Sequence, residues 1–211
     1  MVRQKNFSQV IRIDGKNCFV EALDTAFGIE KVQMNFVAYD DKTNKQKSIV
    51  PIYMDFSEFF ALEADVLSGR LSKLGEVEKA KGANFPQPVY TKMGGVSAKN
   101  LKARGQERPD GMSLSRQFKI IPGNKRPFMI QGEQGKGEEN EQGLIVPRYG
   151  SKPDDRVMIP MGGEELKQFV IMVGSKIRAY MSAQYVYMLQ DTFKQQQKDE
   201  ADRIAKYRKK A

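Results

Sequence analysis

The feature that most constrains the fold of this 211-residue chain is a weak internal repeat. Its two copies are separated by a constant number of residues, the number that separates Ser8 from Ser115. Ser8–Ile13 (SQVIRI) aligns with Ser115–Ile120 (SRQFKI). Val50–Met54 (VPIYM) aligns with Val157–Met161 (VMIPM) at the same offset. Because one offset relates both ends of the two halves, the pattern predicts that one structural unit occurs twice. Three apolar residues after the second anchor also align, namely Phe59, Leu62 and Val66 with Leu166, Phe169 and Val173.

The first half is predicted to form four strands followed by a helix. Lys31–Tyr39 alternates apolar and polar residues, which is the period of a half-buried strand. Pro51 predicts an edge strand, because proline has no amide hydrogen to donate to a neighbouring strand. Ser57 is predicted to be the N-cap of a helix whose apolar stripe continues to Leu74. The four predicted strands are Phe7–Ile13, Cys18–Leu23, Lys31–Tyr39 and Lys47–Met54.

The second half repeats this plan. Its predicted helix begins near Glu164 and keeps apolar residues at helical spacing as far as Phe193. Each half is therefore expected to form a four-stranded antiparallel sheet with a helix across one face. The predicted fold class is α+β, with two ββββα repeats related by a pseudo-twofold axis. The four predicted strands of this half are Leu114–Ile121, Pro127–Gln131, Gly143–Tyr149 and Arg156–Met161.

The same pattern divides the chain into four segments. Residues 1–74 form the first repeat, and residues 113–190 form the second repeat with its extended helix. Residues 75–112 lie outside the repeat and are predicted to be a flexible basic connector, since the segment exceeds an ordinary loop. Residues 191–211 are predicted to be a polar, basic C-terminal tail. Within the second repeat, Gly132–Gln142 is predicted to be a flexible hairpin tip.

The composition excludes several classes of catalytic and metal-binding site. The chain has no histidine and one cysteine, Cys18, which excludes Ser-His-Asp triads, Cys-His pairs and cysteine-rich metal clusters. We therefore expect a protein without enzymatic activity, cofactor or metal, in which Cys18 is a buried, small apolar residue. The single cysteine, the polar N-terminus and the lack of a long apolar run predict a cytoplasmic protein without a membrane span. Lys and Arg number 35 against 26 Asp and Glu, and the resulting formal charge of +9 favours polyanionic partners.

Each predicted sheet has one face that its helix does not cover. Strand alternation assigns to this face a mixture of cations, amides and flat or flexible apolar side chains. Aromatic, Met and Arg side chains stack on unpaired bases, while Lys and Arg neutralise phosphates. The mixture predicts binding of single-stranded nucleic acid, with the connector and tail as additional clamps. The predicted contacts on the sheets are Arg12, Phe19, Asn35, Tyr39, Lys47, Tyr53, Lys119, Met129, Arg148 and Arg156, and those in the connector are Lys92, Lys99, Lys102, Arg104 and Arg108.

Two other interpretations fit the same residues. The mixed sheet faces and the long terminal helix also suit a structural or adaptor protein, virion-associated for example, that uses them for protein contacts or homo-oligomerisation. Asp40-Asp41 and Asp154-Asp155 both precede a last strand, and such paired carboxylates hold Mg²⁺ in nucleases. Turns also recruit Asp for local backbone hydrogen bonds, which is the simpler explanation of both pairs.

The predicted element order resembles that of the Whirly and PUR-repeat group of single-stranded nucleic-acid-binding proteins. The resemblance covers roughly residues 7–74 and 114–181. It depends on the two anchor strands and the helices that follow them, and not on a signature motif. It implies that two units pack about a pseudo-twofold axis and that splayed strands hold an unpaired strand. The contacts that it implies are Arg12, Tyr39, Tyr53, Lys119, Arg148 and Arg156.

Together, these patterns predict a non-enzymatic, cytoplasmic protein that binds single-stranded DNA with little sequence preference. Replication, recombination or transfer of a mobile element would use such a protein. RNA fits nearly as well, because nothing in the sequence reports on a 2′-hydroxyl group.

Overall fold

The computed structural model describes residues 8–43 and 45–208, with side chains as far as residue 201. This part of the chain has an α+β fold with two antiparallel sheets, of four and five strands, and a long C-terminal helix. The chain divides into two compact units between Gly174 and Ser175. Both sheets belong to the first unit.

The first sheet confirms the four strands predicted in the first half. Its strands are β1 (Gln9–Gly15), β2 (Cys18–Leu23), β3 (Lys31–Tyr39) and β4 (Gln46–Asp55), and their order in the sheet is β1-β2-β3-β4. Strand β4 is an edge strand, as Pro51 predicted, and Pro51 lies opposite Asn35 of β3. Phe7, where the first strand was expected to start, lies outside the described residues.

Two helices follow β4 where one was predicted. The N-cap is Asp55 and not Ser57, and the backbone N–H of Asp55 donates a hydrogen bond of 3.2 Å to Oε2 of Glu58. An acidic residue three positions after the cap is typical of a helix start. The predicted stripe as far as Leu74 is shared by two helices, because Gly69 adopts a left-handed φ of 75° between them. These helices are α1 (Phe56–Leu67) and α2 (Arg70–Ala80).

The second sheet begins inside the segment that was predicted to be a flexible connector. Residues 75–112 contain the end of α2, strand β5 (Tyr90–Val96) and helix α3 (Ala98–Ala103). Strand β5 pairs with the next strand along its whole length, and the ring of Tyr90 packs against Phe118 with 5.7 Å between centroids. The connector prediction failed because this pairing partner is distant in the sequence. The other strands are β6 (Ser113–Pro122), β7 (Phe128–Glu139), β8 (Ile145–Pro147) and β9 (Asp155–Met161), in the order β5-β6-β7-β8, with β9 also paired to β7.

Strand β7 corrects the prediction of a flexible hairpin tip over Gly132–Gln142. The strand continues to Glu139, and Gly132 is buried within it. A Cβ atom at Gly132 would lie 2.5 Å from Cγ of Phe36, on β3 of the other sheet. Glycine here permits close approach of two sheets and does not supply loop flexibility.

The inner faces of both sheets share one hydrophobic core with two helices. The rings of Phe36 and Phe118, one from each sheet, lie with their centroids 5.9 Å apart. Helix α1 contributes Leu62, and the start of the C-terminal helix, α4 (Gly163–Arg208), contributes Phe169 and Val170 to the same cluster. The sheets are therefore not two separately helix-backed units, because the two sheets and both helices pack around common side chains.

Helix α4 continues into the segment that was predicted to be a polar, basic tail, residues 191–211. The chain is helical as far as Arg208, and residues 209–211 lie outside the described residues. In the second unit, every side chain from Met181 to Ala201 is exposed. The exposed apolar side chains of this stretch include Met181, Tyr185, Val186, Tyr187, Met188 and Phe193.

Candidate functional site

A groove lies between the edge strands of the two sheets. Strand β4 forms one wall and strand β5 the other, and residues 143–145, the end of α3 and single residues of β3 and β6 also contribute to the lining. Its volume is about 800 Å³, within the range of about 300–1,000 Å³ typical of ligand clefts. We call this cavity the β4–β5 groove. It belongs entirely to the first unit.

Four cations and one carboxylate line the β4–β5 groove. Lys31 contacts the carboxylate, that of Asp55, with 2.5 Å between Nζ and Oδ1, and this contact holds the pKa of Asp55 below its usual value. Lys92 forms an ion pair with Glu58 of α1. The two other cations, Arg104 and Arg116, have no carboxylate within ion-pair distance among the described residues. The groove is therefore electropositive, mainly at its two arginines.

Apolar side chains lie beside these cations. Tyr53 of β4 is 41% exposed and Met93 of β5 is 39% exposed, so each strand presents one large side chain to the groove. Ile29 and Leu144 are exposed at its margin. Flat or flexible apolar surface beside arginines suits a ligand that has both planar rings and negative charge.

Three predicted contacts on the outer face of the first sheet form a cluster of their own. The guanidinium carbon of Arg12 lies 3.5 Å from the centre of the Phe19 ring, and Arg12 also pairs with Asp14. Phe19 is only 5% exposed and its ring contacts Tyr39, with 5.7 Å between centroids. Because Arg12 covers the Phe19 ring, Phe19 does not offer a free stacking surface. Tyr39 is half-buried.

Asn35 and Lys47 have opposite environments on the first sheet. Asn35 is 7% exposed, donates to Oε1 of Glu21 at 3.3 Å and accepts from Gln33 at 3.0 Å. Its amide is therefore occupied inside the protein and does not face a ligand. Lys47 is exposed near the start of β4, outside the groove lining.

Only part of the outer face of the second sheet is open, whereas strand alternation predicted that all of it would be. Residues 148–154, between β8 and β9, lie over β7, where a Cβ atom at Gly135 would be 3.0 Å from Cα of Pro153. Ser115 and Gln117 are buried beneath this loop. The prediction of an uncovered face was wrong around Ser115 and Gln117, because a loop distant in the sequence closes over them, whereas Arg156 and Met158 of β9 are exposed.

Cations on this face are paired with acids of their own sheet. Glu133 is buried and accepts from Lys119 and, at 3.1 Å, from Nε of Arg156. Arg148 lies 3.2 Å from Glu138, and Met129 is half-buried. These side chains stabilise the sheet as cross-strand pairs, and a phosphate would have to compete with the carboxylates for them.

The five predicted contacts in the connector lie in three different environments. Lys92 and Arg104 line the β4–β5 groove, while Lys99 and Lys102 are exposed on α3, directly before Arg104. Arg108 is held away from the groove lining by ion pairs with Asp110 and Asp154, at 2.9 and 2.7 Å. Hydrogen bonds from Arg108 hold the pKa of Asp110 well below its usual value.

The paired carboxylates and the cysteine have local roles. Oδ1 of Asp40 accepts from the backbone N–H groups of Lys42 and Thr43, as in an ordinary Asx turn. Within residues 8–43 and 45–208, no group of three or more His, Cys, Asp or Glu side chains is placed to hold a metal ion. Cys18 is half-buried, and burial, with the nearby charge of Asp14, raises the pKa of its thiol.

Of the predicted contacts, the structure brings together Tyr53, Lys92 and Arg104 in one cavity. Sequence reasoning missed Arg116, Met93 and Lys31. Arg116 alternates with Leu114 and Phe118 on β6, so its parity assigned it to the core. A charged residue within a core-facing series is the signal that would have identified it.

Comparisons with known proteins add no relative. No family model, curated protein or solved structure matches this chain. Among the described helices, none is both long enough and apolar enough to cross a bilayer.

Proposed function

We propose that this protein binds single-stranded nucleic acid in the β4–β5 groove, with little sequence preference. The observation that carries the proposal is the lining of that cavity, in which exposed Tyr53 and Met93 lie beside two arginines that have no carboxylate partner in the described part of the chain. The site differs from the outer sheet faces expected from the sequence. Those faces are largely covered or internally paired, whereas the groove is accessible.

Binding would combine stacking with phosphate neutralisation. A base stacked on an aromatic side chain contributes about 1–3 kcal/mol, whichever base is present. Each phosphate neutralised by Lys or Arg releases condensed counterions, so affinity falls steeply with salt. Lys99 and Lys102 of α3 extend the positive charge beyond Arg104 and act as an outer clamp. No cofactor or metal is required for this mode of binding.

The proposal includes the finer architectural hypothesis of two related units. In support, β1–β4 are followed by α1, and the second sheet is followed by α4. A pseudo-twofold relation between these halves, and the resemblance to the Whirly and PUR-repeat group, remain parts of this hypothesis. The strand would be DNA or RNA, handled in the cytoplasm during replication, recombination or transfer of a mobile element.

An adaptor role is the second candidate function. It is favoured by the C-terminal helix of the second unit, where Tyr185, Tyr187, Met188 and Phe193 are all exposed. Exposed apolar residues at this density are typical of a surface that contacts another protein. In this alternative the helix forms a homo-oligomer or holds a partner, and the protein does not bind oligonucleotides.

Fluorescence anisotropy with a labelled single-stranded oligonucleotide, repeated at increasing salt, tests the two candidates. We expect Tyr53→Ala to weaken binding by about 5- to 150-fold, the equivalent of one stacked base. Tyr149→Ala is the matched control, because Tyr149 is 100% exposed and lies outside the groove lining. Absence of binding at low salt, or equal affinities for the two folded variants, would refute the groove proposal.

A further inference from the structure

Arg116 has an unusual environment for a charged side chain. It extends from β6 between two core positions and is half-buried. Its guanidinium group donates a hydrogen bond of 3.5 Å from Nε to Oε1 of Gln134, at the limit of hydrogen-bond length. Within residues 8–43 and 45–201, no protein acceptor pairs with its four other nitrogen-bound hydrogens.

Arg116 differs in its ion pairing from the other half-buried cations that the structure describes in the first unit. The other half-buried cations among the described side chains each have a carboxylate oxygen within 4.0 Å, whereas Arg116 has none. A half-buried charge without a counter-charge costs folding free energy, because it loses hydration without gaining an ion pair. The half-buried cations that do have such a partner are Arg12, Lys31, Lys92, Arg108, Lys119, Lys136 and Lys167.

The groove brings further positive charge to the same place. Arg104, which is exposed, lines the cavity together with Arg116, and Tyr53 of β4 contributes to the same lining. Burial lowers the pKa of Arg116, and the charge of Arg104 lowers it further, while Tyr53 has the opposite effect. Two guanidinium groups that line one cavity would both be stabilised by an anion bound there.

We propose that Arg116 and Arg104 form an anion subsite in the β4–β5 groove that binds one phosphate group of a nucleic-acid strand. The proposal rests on the proposed function for the identity of the strand, but the subsite itself is defined by the two arginines. A guanidinium group forms paired hydrogen bonds with phosphate oxygens, which a lysine ammonium group does not. The subsite fixes the backbone of the strand beside Tyr53, where a base would stack.

The test compares two variants that each remove one positive charge. Arg116→Gln removes the guanidinium of the subsite, and Lys125→Gln removes an exposed lysine in the turn between β6 and β7, outside the groove. We expect Arg116→Gln to weaken oligonucleotide binding at low salt by about tenfold or more. The slope of log affinity against log salt should also become shallower by about 0.7, the value for one phosphate of a single strand. Lys125→Gln should change neither quantity.

A second measurement uses inorganic phosphate as the probe. Phosphate should raise the midpoint of thermal unfolding of the wild-type protein and of Lys125→Gln, and should raise that of Arg116→Gln less. Should Arg116→Gln fail to fold, Arg116→Met repeats both measurements with a side chain that keeps the unbranched apolar stem.

The outcomes separate this inference from the proposed function. Oligonucleotide binding that is equally tight and equally salt-dependent in Arg116→Gln overturns the subsite and leaves the proposed function intact. If the wild-type protein binds no oligonucleotide, the proposed function fails. Phosphate stabilisation that depends on Arg116 would then still support the subsite, and its absence would overturn both.

Discussion

The contact between the two sheets at Gly132 gives the sharpest prediction about stability. In Gly132→Ala, the added methyl carbon would lie 2.5 Å from Cγ and 2.6 Å from Cδ2 of Phe36. Favourable contacts between carbon atoms have separations of about 3.5–4.0 Å, so the ring or the strand must move by roughly 1 Å. Both residues are buried, and the ring of Phe36 also packs against Phe118. The core therefore offers little room for that movement.

Overpacking of this kind costs about 1–3 kcal/mol. Since 1 kcal/mol shifts the unfolding midpoint of a chain of this size by about 2–4 °C, we expect Gly132→Ala to melt about 2–12 °C below the wild type. Calorimetry or circular dichroism measures the shift. Gly28→Ala is the matched control, because, apart from its neighbours in the chain, no described atom lies within 4 Å of the added carbon there. The control should be neutral or stabilised by up to about 1 kcal/mol, since alanine reduces the entropy of the unfolded chain.

A double-mutant cycle tests the stated cause. Phe36→Ala alone should cost about 3–5 kcal/mol. In that background the methyl group of Gly132→Ala enters the space left by the ring, so its own cost should almost disappear. Equal stability of Gly132→Ala and Gly28→Ala, or strictly additive costs in the cycle, would refute the argument that the two sheets meet at this point.

Two further predictions concern ionisation. Burial, assisted by the charges of Glu58 and Asp65, raises the pKa of Tyr90 to about 12. The neutral phenol should therefore stabilise the fold fully below about pH 10, which is the pKa of tyrosine in the unfolded chain. This contribution to stability should be lost as the pH rises from about 10 to 12. An ultraviolet absorbance titration of the wild type against Tyr90→Phe measures this pKa, and a midpoint near 10 for Tyr90 in the folded protein contradicts the prediction. The interaction with Lys31 lowers the pKa of Asp55. The ion pair therefore contributes fully to the free energy of unfolding above the usual aspartate pKa of about 4, and this contribution is lost as the pH falls through the lowered pKa. Asp55→Ala should cost about 0.5–2 kcal/mol at neutral pH and less in acid, and an equal cost at both pH values, measured by denaturant unfolding, would exclude this cause.

Most individual strands could be predicted from the sequence, because their signals are local. The alternation of Lys31–Tyr39 gave the bounds of β3, and Pro51 correctly predicted an edge strand. Strand β5 was not predicted, because Tyr90–Val96 includes Gly94 and Gly95 and lacks a strong apolar alternation. It becomes a strand through pairing with β6, and no pattern within seven residues reports such a partner.

In the candidate site, too, the sequence predicted side-chain types but not which side chains are buried. Tyr53, Lys92 and Arg104 were selected from the sequence because their side-chain types suit a nucleic-acid strand, and they remain in the proposed site. Phe19 and Asn35 were selected on the same grounds, yet both are buried. Side-chain type is local information, whereas the covering of a side chain depends on residues far away in the chain.

The amino-acid sequence by itself determined which side chains share a face of each strand, because that follows from the two-residue period of an extended backbone. Only the tertiary structure decided which faces are covered and where two sheet edges leave a groove. Arg116 illustrates the contrast between strand position and exposure. Its position along β6 is that of a core residue, but its side chain lines an open cavity because β4 and β5 are edges of separate sheets. Packing between elements, and not the period within them, creates that cavity.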